Sequence, residues 1–119
     1  LDPQYEAGLT GLAEFSHVLV IYYLHQARFE TKKHLVRRPQ GREDMPYVGI
    51  LAQRAKNRPN PIGVTAVELV EVTGNVVTVK GLDAINGTPL IDIKPYFPVY
   101  DCKEAKVPEW VGRLMQEYF

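Results

Sequence analysis

At 119 residues, with 45% apolar and 24% charged side chains, the chain suits one folded domain and excludes a disordered or collagen-like polymer. Fourteen Lys and Arg balance fourteen Asp and Glu, so any attraction to nucleic acid has to come from local charge, not from the total. A single cysteine, Cys102, rules out an internal disulfide, and three histidines without HExxH or i, i+4 spacing give no metal-ligating pattern.

The chain opens without a signal-peptide layout, which sets the expectation of a reducing, cytoplasmic setting. Residues 8–15 suit a helical turn, weakened by two glycines. The longest apolar run, VLVIYYL at 18–24, is far below the roughly 20 residues of a membrane helix. Its β-branched and aromatic content predicts a strand buried on both faces. His17 before it reads as a hydrogen-bonded strand-end residue. Residues 27–46, with Pro39, Gly41 and Pro46, read as a long loop, and loops of that length are usually functional or disordered.

YVGILAQR at 47–54 predicts a second strand, ended by the prolines of 56–63. Residues 64–72 and 76–82 flank Thr73-Gly74-Asn75 and predict a hairpin. A loop follows at 83–88 and a further strand at 90–96. Trp110, Val111, Leu114, Met115 and Tyr118 recur at helical spacing behind Pro108, placed as a first helical residue. Cys102 reads as a buried structural thiol. Strands at short spacing with one closing helix make the fold mostly β, a small β-barrel with a C-terminal helix, favoured over a sandwich. The absence of GxGxxG, of a Walker A loop and of strand and helix alternation makes it non-Rossmann.

Charge is segregated. Between Arg28 and Arg58 nine cations (Arg28, Lys32, Lys33, Arg37, Arg38, Arg42, Arg54, Lys56, Arg58) face three carboxylates (Glu30, Glu43, Asp44), a local net charge of +6 balanced by −6 elsewhere. Such a segment is either a phosphate contact or a solvated basic loop.

Two stretches carry more specific chemistry. In RPNPIG at 58–63 each proline fixes its own φ and holds Arg58 and Asn60 extended. Gly63 then permits a close backbone approach. Both a rigid turn and a ligand-facing loop fit. If 90–96 is extended, Asp92, Lys94 and Tyr96 share one face about 7 Å apart, against Ile91, Ile93 and Pro95 on the other. That row is either a solvated outer face or a functional surface.

Taken with GLTGLAEFSH at 8–17, His25-Gln26 after the first strand, and Arg54, these stretches (RPNPIG and NGTPLIDIKPY at 86–96) resemble the TsaA-like, or TrmO-type, family. Its members are S-adenosylmethionine-dependent tRNA N6-adenosine methyltransferases on a β-barrel. Order and spacing agree over nearly the whole chain. The resemblance implies one barrel domain over 1–119, without the family's further first strand and its Pro-Arg-Gln turn, and without a C-terminal domain. It implies S-adenosylmethionine bound by His25, Gln26, Arg54, Arg58, Gly63, Val64 and the Asn86, Gly87, Thr88, Pro89, Leu90 loop. Asn86 stands where the family usually has an aspartate. It further implies a homodimer, no membrane partner, and as substrate the adenosine 3′ to the anticodon, usually threonylcarbamoylated, with the basic Arg28 to Arg58 segment on the tRNA anticodon region.

Methyl transfer needs position and electrostatics more than covalent help. Within that frame Asn60 is expected to accept hydrogen bonds from the adenine amine. Asp92 is expected to take its proton, and Lys94 and Tyr96 to orient Asp92 or the substrate. The alternatives are a non-catalytic barrel module that binds S-adenosylmethionine or RNA, and an interaction domain that binds no cofactor.

Overall fold

The computed structural model describes residues 1–116. They divide into two compact units, one holding Leu1–His25 with Ile62–Cys102, the other Gln26–Pro61 with the described residues from Lys103 onward.

The first unit is an open sheet. Its strands are β1 (His17–Tyr23), β4 (Ile62–Thr73), β5 (Val76–Lys80) and β6 (Leu90–Pro95), in the order β5-β4-β1-β6, with β2 (Val36–Arg37) and β3 (Val48–Gly49) belonging to the other unit. All neighbours are antiparallel. The mostly β, non-Rossmann architecture is as expected, and among the described residues β5 and β6 are the two edges, with no pairing that closes the sheet.

Strand β1 lies at the centre. Val18, Val20 and Tyr22 are buried on one face, whereas Leu19 and Ile21 on the other are only half-buried. The expectation of burial on both faces is therefore corrected. Val, Leu and Tyr satisfy β propensity on either face, so composition alone hid the alternation. With Val67 of β4 the three buried side chains form the core, and Leu12, Leu24, Leu69, Val79, Ala84 and Ile93 pack against it. Each fully buried side chain of this size contributes about 1.5–3 kcal/mol.

The β4–β5 hairpin turns at Gly74-Asn75. Gly74 has φ +60 and Asn75 does not have positive φ, the pattern of a type II′ turn with glycine first. Leu1 clasps this turn, its backbone nitrogen donating to the Asn75 carbonyl at 2.9 Å while the Asn75 side chain donates to the Leu1 carbonyl. In place of the helical turn expected at 8–15 stand two 3-10 turns, Pro3–Leu9 and Leu12–Glu14, of which the second brings Leu12 onto the core. After β6 a short helix, α2 (Pro98–Asp101), leads to Cys102. The thiol is exposed, not buried as expected, because it follows that helix and not a core strand.

In the second unit the stretch 27–46, expected as a loop, holds α1 (Thr31–His34), β2 (Val36–Arg37) and a 3-10 turn, Pro39–Gly41. Elements of two to four residues are too short for a hydrophobic period to register. The strand expected at 47–54 shrinks to β3 (Val48–Gly49), which pairs with β2, and a 3-10 turn, Ile50–Ala52, follows. The spacing explains this: Ile50 and Gln53, three apart, are both buried while Leu51 is 81% exposed, which is one face of a three-residue turn and not a strand. The C-terminal helix is α3 (Glu109–Met115), with Pro108 as its N-cap and not its first helical residue. Trp110, Val111, Leu114 and Met115 are half-buried, and Tyr118 lies outside the described residues. Arg113 pairs with Glu109 and donates to the Asp44 carbonyl at 2.8 Å.

Candidate functional site

Register brings three chain segments to one end of the first unit's sheet. Tyr22 of β1 sits opposite Gly63 of β4 and Leu90 of β6, and Tyr23 sits opposite Ile62. His25 follows two residues on, its amide donating to the Tyr23 carbonyl at 2.8 Å. The end of β1 therefore meets the starts of β4 and β6. His25, Gly63, Val64 and residues 86–90 gather there, although 61 residues of sequence separate His25 from Asn86.

The 86–90 segment is a rigid turn. Thr88 donates from both its amide (3.1 Å) and its hydroxyl (2.6 Å) to the Ile85 carbonyl, and Gly87 has φ +86. A positive φ at the third turn position is what a type II turn demands of glycine. Tyr23 anchors the turn to the sheet, its amide donating to the Pro89 carbonyl at 2.9 Å. Asn86 and His25 stay exposed.

Gly63 serves a neighbour within the fold. A Cβ there would lie 2.5 Å from the Tyr22 ring, so the close approach that glycine permits is made by a side chain. The Tyr22 hydroxyl then bonds the Thr65 hydroxyl at 2.9 Å and donates to the Asp83 carbonyl at 3.5 Å. Sequence reasoning passed over Tyr22 as one apolar residue in a strand. Its phenol is the link between the residue after RPNPI and the approach to the 86–90 turn.

Along β6, Asp92 faces Ile21 and Lys94 faces Leu19, so both lie on the face opposite the core. They form an ion pair at 3.1 Å, and Asp92 accepts from the Ile93 amide at 2.8 Å. The hydrogen bond from Lys94, helped by that amide, holds the Asp92 carboxyl below the usual range despite some desolvation. Leu90 and Asp92 also line a groove of about 550 Å³ with Leu1, Asp2, Tyr5 and Leu9. Ile93 and Pro95 point the other way and are half-buried, but Ile91 is displaced by a bulge at Ile21/Tyr22 and is 51% exposed. Tyr96 lies at the far end of the strand, its amide donating to the His17 carbonyl and its ring 6.1 Å from the His17 ring. That is about 20 Å of strand from Leu90, so Tyr96 is not brought to the 86–90 turn.

Gln26, Arg54, Arg58 and Asn60 belong to the second unit. Gln26, Arg54 and Asn60 are exposed and Arg58 is half-buried. The Arg58 guanidinium donates to the Gln53 carbonyl and, at 3.4 Å, to the Ala55 carbonyl, which ties the proline-rich stretch to the turn before it. Gln53, also unmarked in the sequence, is buried, and its Nε2 donates to the carbonyls of Arg37 (2.8 Å) and Val48 (3.1 Å). No local sequence signal marks it, since its neighbours Leu51 and Ala52 are exposed. Among the described residues no group of three or more His, Cys, Asp or Glu is placed to hold a metal ion, and no helix is long and apolar enough to cross a membrane.

Comparison with known proteins sets this geometry in a family. Residues 1–102 match the tRNA-methyltransferase O N-terminal domain. A probable S-adenosyl-L-methionine-binding protein of Pyrococcus abyssi is 44% identical over 111 residues, 93% of this chain and 58% of that protein. A tRNA (adenine(37)-N6)-methyltransferase of Homo sapiens is 38% identical over 96 residues, 81% of this chain and 21% of that one. The crystal structure of TrmO from Pseudomonas aeruginosa superposes with a TM-score of 0.72 at 30% identity, covering 92% of this chain and 46% of the other. The chain thus spans only part of the length of these relatives. With a family match over most of its residues and a shared fold at that identity, the chain belongs to the tRNA-methyltransferase O N-terminal domain family.

Proposed function

We propose that the protein binds S-adenosylmethionine and methylates N6 of the adenine on the 3′ side of the tRNA anticodon, usually one already carrying a threonylcarbamoyl group. The observation that carries this reading is the gathering of His25, Gly63, Val64 and residues 86–90 at one end of the sheet, since these segments underlie the likeness to the family. Relatives named as S-adenosyl-L-methionine-binding proteins and as tRNA (adenine(37)-N6)-methyltransferases support it.

The residues fit the cofactor's chemistry. Tyr23, Ile62, Val64 and Leu90 are each 42–50% exposed at this sheet end, an apolar surface suited to an adenine ring, with His25 and Asn86 beside it as polar groups. Gln26, Arg54 and Arg58 complete the proposed set. S-adenosylmethionine supplies an electrophilic methyl group. The chain's residues supply position. Asn60 and the carbonyls of its loop accept hydrogen bonds from the adenine amine, and Asp92, held ionised, takes the proton that the methylated amine releases. Lys94 keeps Asp92 charged; Tyr96, at the far end of the strand, is left out of this set. The basic segment from Arg28 to Arg58 holds the anticodon stem by its phosphates, and the setting is the cytoplasm, where tRNA is used.

A homodimer belongs to this reading. The second reading, a module that binds S-adenosylmethionine without catalysis, is favoured by the names of the archaeal relatives. Incubation with S-adenosylmethionine and either unmodified or threonylcarbamoylated tRNA decides: a methyl group gained by the nucleoside in mass spectrometry is the expected result, and cofactor binding by calorimetry without that gain leaves the binding module.

A further inference from the structure

The second unit holds an open pocket of about 400 Å³ lined by Lys33, His34, Arg37, Arg38, Gly41 and Tyr47. No carboxylate lines it. Lys33 pairs with Glu30 at 3.2 Å, but no carboxylate among the described residues pairs with Arg37 or Arg38. The Arg38 guanidinium lies 4.7 Å from the Tyr47 ring centroid and donates from Nη1 to the Glu43 carbonyl at 3.0 Å. Its Nε is buried and has no hydrogen-bond partner among the described residues. His34 Nδ1 accepts the Glu30 amide at 2.9 Å, so the neutral ring carries its hydrogen on Nε2, a further donor. Tyr47 is 68% exposed.

A large aromatic ring that exposed is stabilised little by burial, and no carboxylate among the described residues neutralises the two arginines. Both conditions are relieved by one kind of ligand, an anion joined to a flat ring. The Arg38 guanidinium already lies over the Tyr47 ring, and nucleobases stack on tyrosine rings and arginine planes whatever their sequence. An acidic peptide would satisfy the arginines and leave the ring bare.

Resting on the reading that RNA is the substrate, we propose that this pocket seats one unpaired nucleotide of that RNA, its phosphate on Arg37, Arg38 and Lys33 and its base against the Tyr47–Arg38 stack. None of the residues assigned to the cofactor lines the pocket. It is therefore a docking subsite, separable from S-adenosylmethionine binding.

The test uses the full chain and a fluorescein-labelled anticodon stem–loop RNA, with a second RNA whose loop is abasic. By anisotropy, Tyr47→Ala weakens binding of the first RNA about tenfold or more and leaves the abasic RNA unaffected, while Tyr47→Phe retains affinity for both. Arg37→Gln weakens both and lowers the salt slope by about one. Lys33→Gln, at an exposed site, repeats the second effect with no demand on folding. Calorimetry with S-adenosylmethionine is unchanged throughout, which also shows that the variants fold. Wild-type affinity for RNA in Tyr47→Ala and Arg37→Gln overturns the subsite and leaves the methyltransferase reading standing, as does loss of cofactor binding in Tyr47→Ala. A wild-type protein that binds no RNA overturns both.

Discussion

Two single residues set conditions for everything near them. Gly63 is required by the Tyr22 ring, so Gly63→Ala forces the ring or the strand to move and is expected to destabilise the protein by about 1–3 kcal/mol, read as a lower urea midpoint. Tyr22→Phe on its own, by losing the hydroxyl bonds to Thr65 and Asp83, is expected to lose about 1 kcal/mol. Asp92 raises a question of charge. Its carboxyl lies below the ordinary value of 3.8, chiefly through the hydrogen bond from Lys94. A depressed folded value favours the native state above pH 3.8, and that contribution disappears as pH falls through the lower folded value. Exposure of both partners keeps it small. Lys94→Gln is expected to move the Asp92 titration, followed by carboxyl-carbon NMR, up toward the ordinary value. An unmoved titration would show that the Ile93 amide alone depresses it.

At the scale of elements, Gln53 is the fastening of the β2–β3 pair. It reaches two carbonyls, one in each strand, and replacing it with leucine leaves both without that donor. Gln53→Leu is expected to destabilise by about 1–3 kcal/mol and to speed hydrogen exchange at the Ile50 amide, which bonds the Leu35 carbonyl at 2.8 Å; slow exchange in the variant would assign the fastening elsewhere. The long sheet strands were legible because their residues alternate or run apolar for five residues or more, and the Gly74 turn was legible because the hairpin needs glycine there. In the second unit the C-terminal helix was legible by its spacing, but the 26–61 stretch was not. Its strands have two residues each, and its core residues Met45, Ile50 and Gln53 lie at no single period, so tertiary contact alone defines them. On the candidate site, the shared face of Asp92 and Lys94 followed from alternation, whereas the bulge at Ile91 breaks that alternation without any local sequence mark. The role of Gly63 was visible only as a need for space. Which group fills the space is a fact of register between Tyr22 and Gly63, 41 positions apart in the chain.

For the whole molecule, a formal net charge of +0 conceals a basic segment and an acidic remainder. Counterion release depends on local contacts, so RNA affinity should fall steeply with salt despite the neutral total. With four or five phosphates engaged by the segment, a plot of log affinity against log salt is expected to slope by about −3 to −4, measured by anisotropy across a salt series. A flat plot would separate the basic segment from RNA binding altogether.

The chain leaves the first unit after His25 and re-enters it at Ile62, and Tyr23 and Ile62 are direct partners across β1 and β4. Departure and return therefore occur at one rung of the ladder. Whatever is spliced between them closes over almost the same span, and closure entropy grows only slowly with length. The sheet is thus indifferent to the length of its insert: lengthening or trimming the 26–61 segment leaves the register of β1 against β4 as it is.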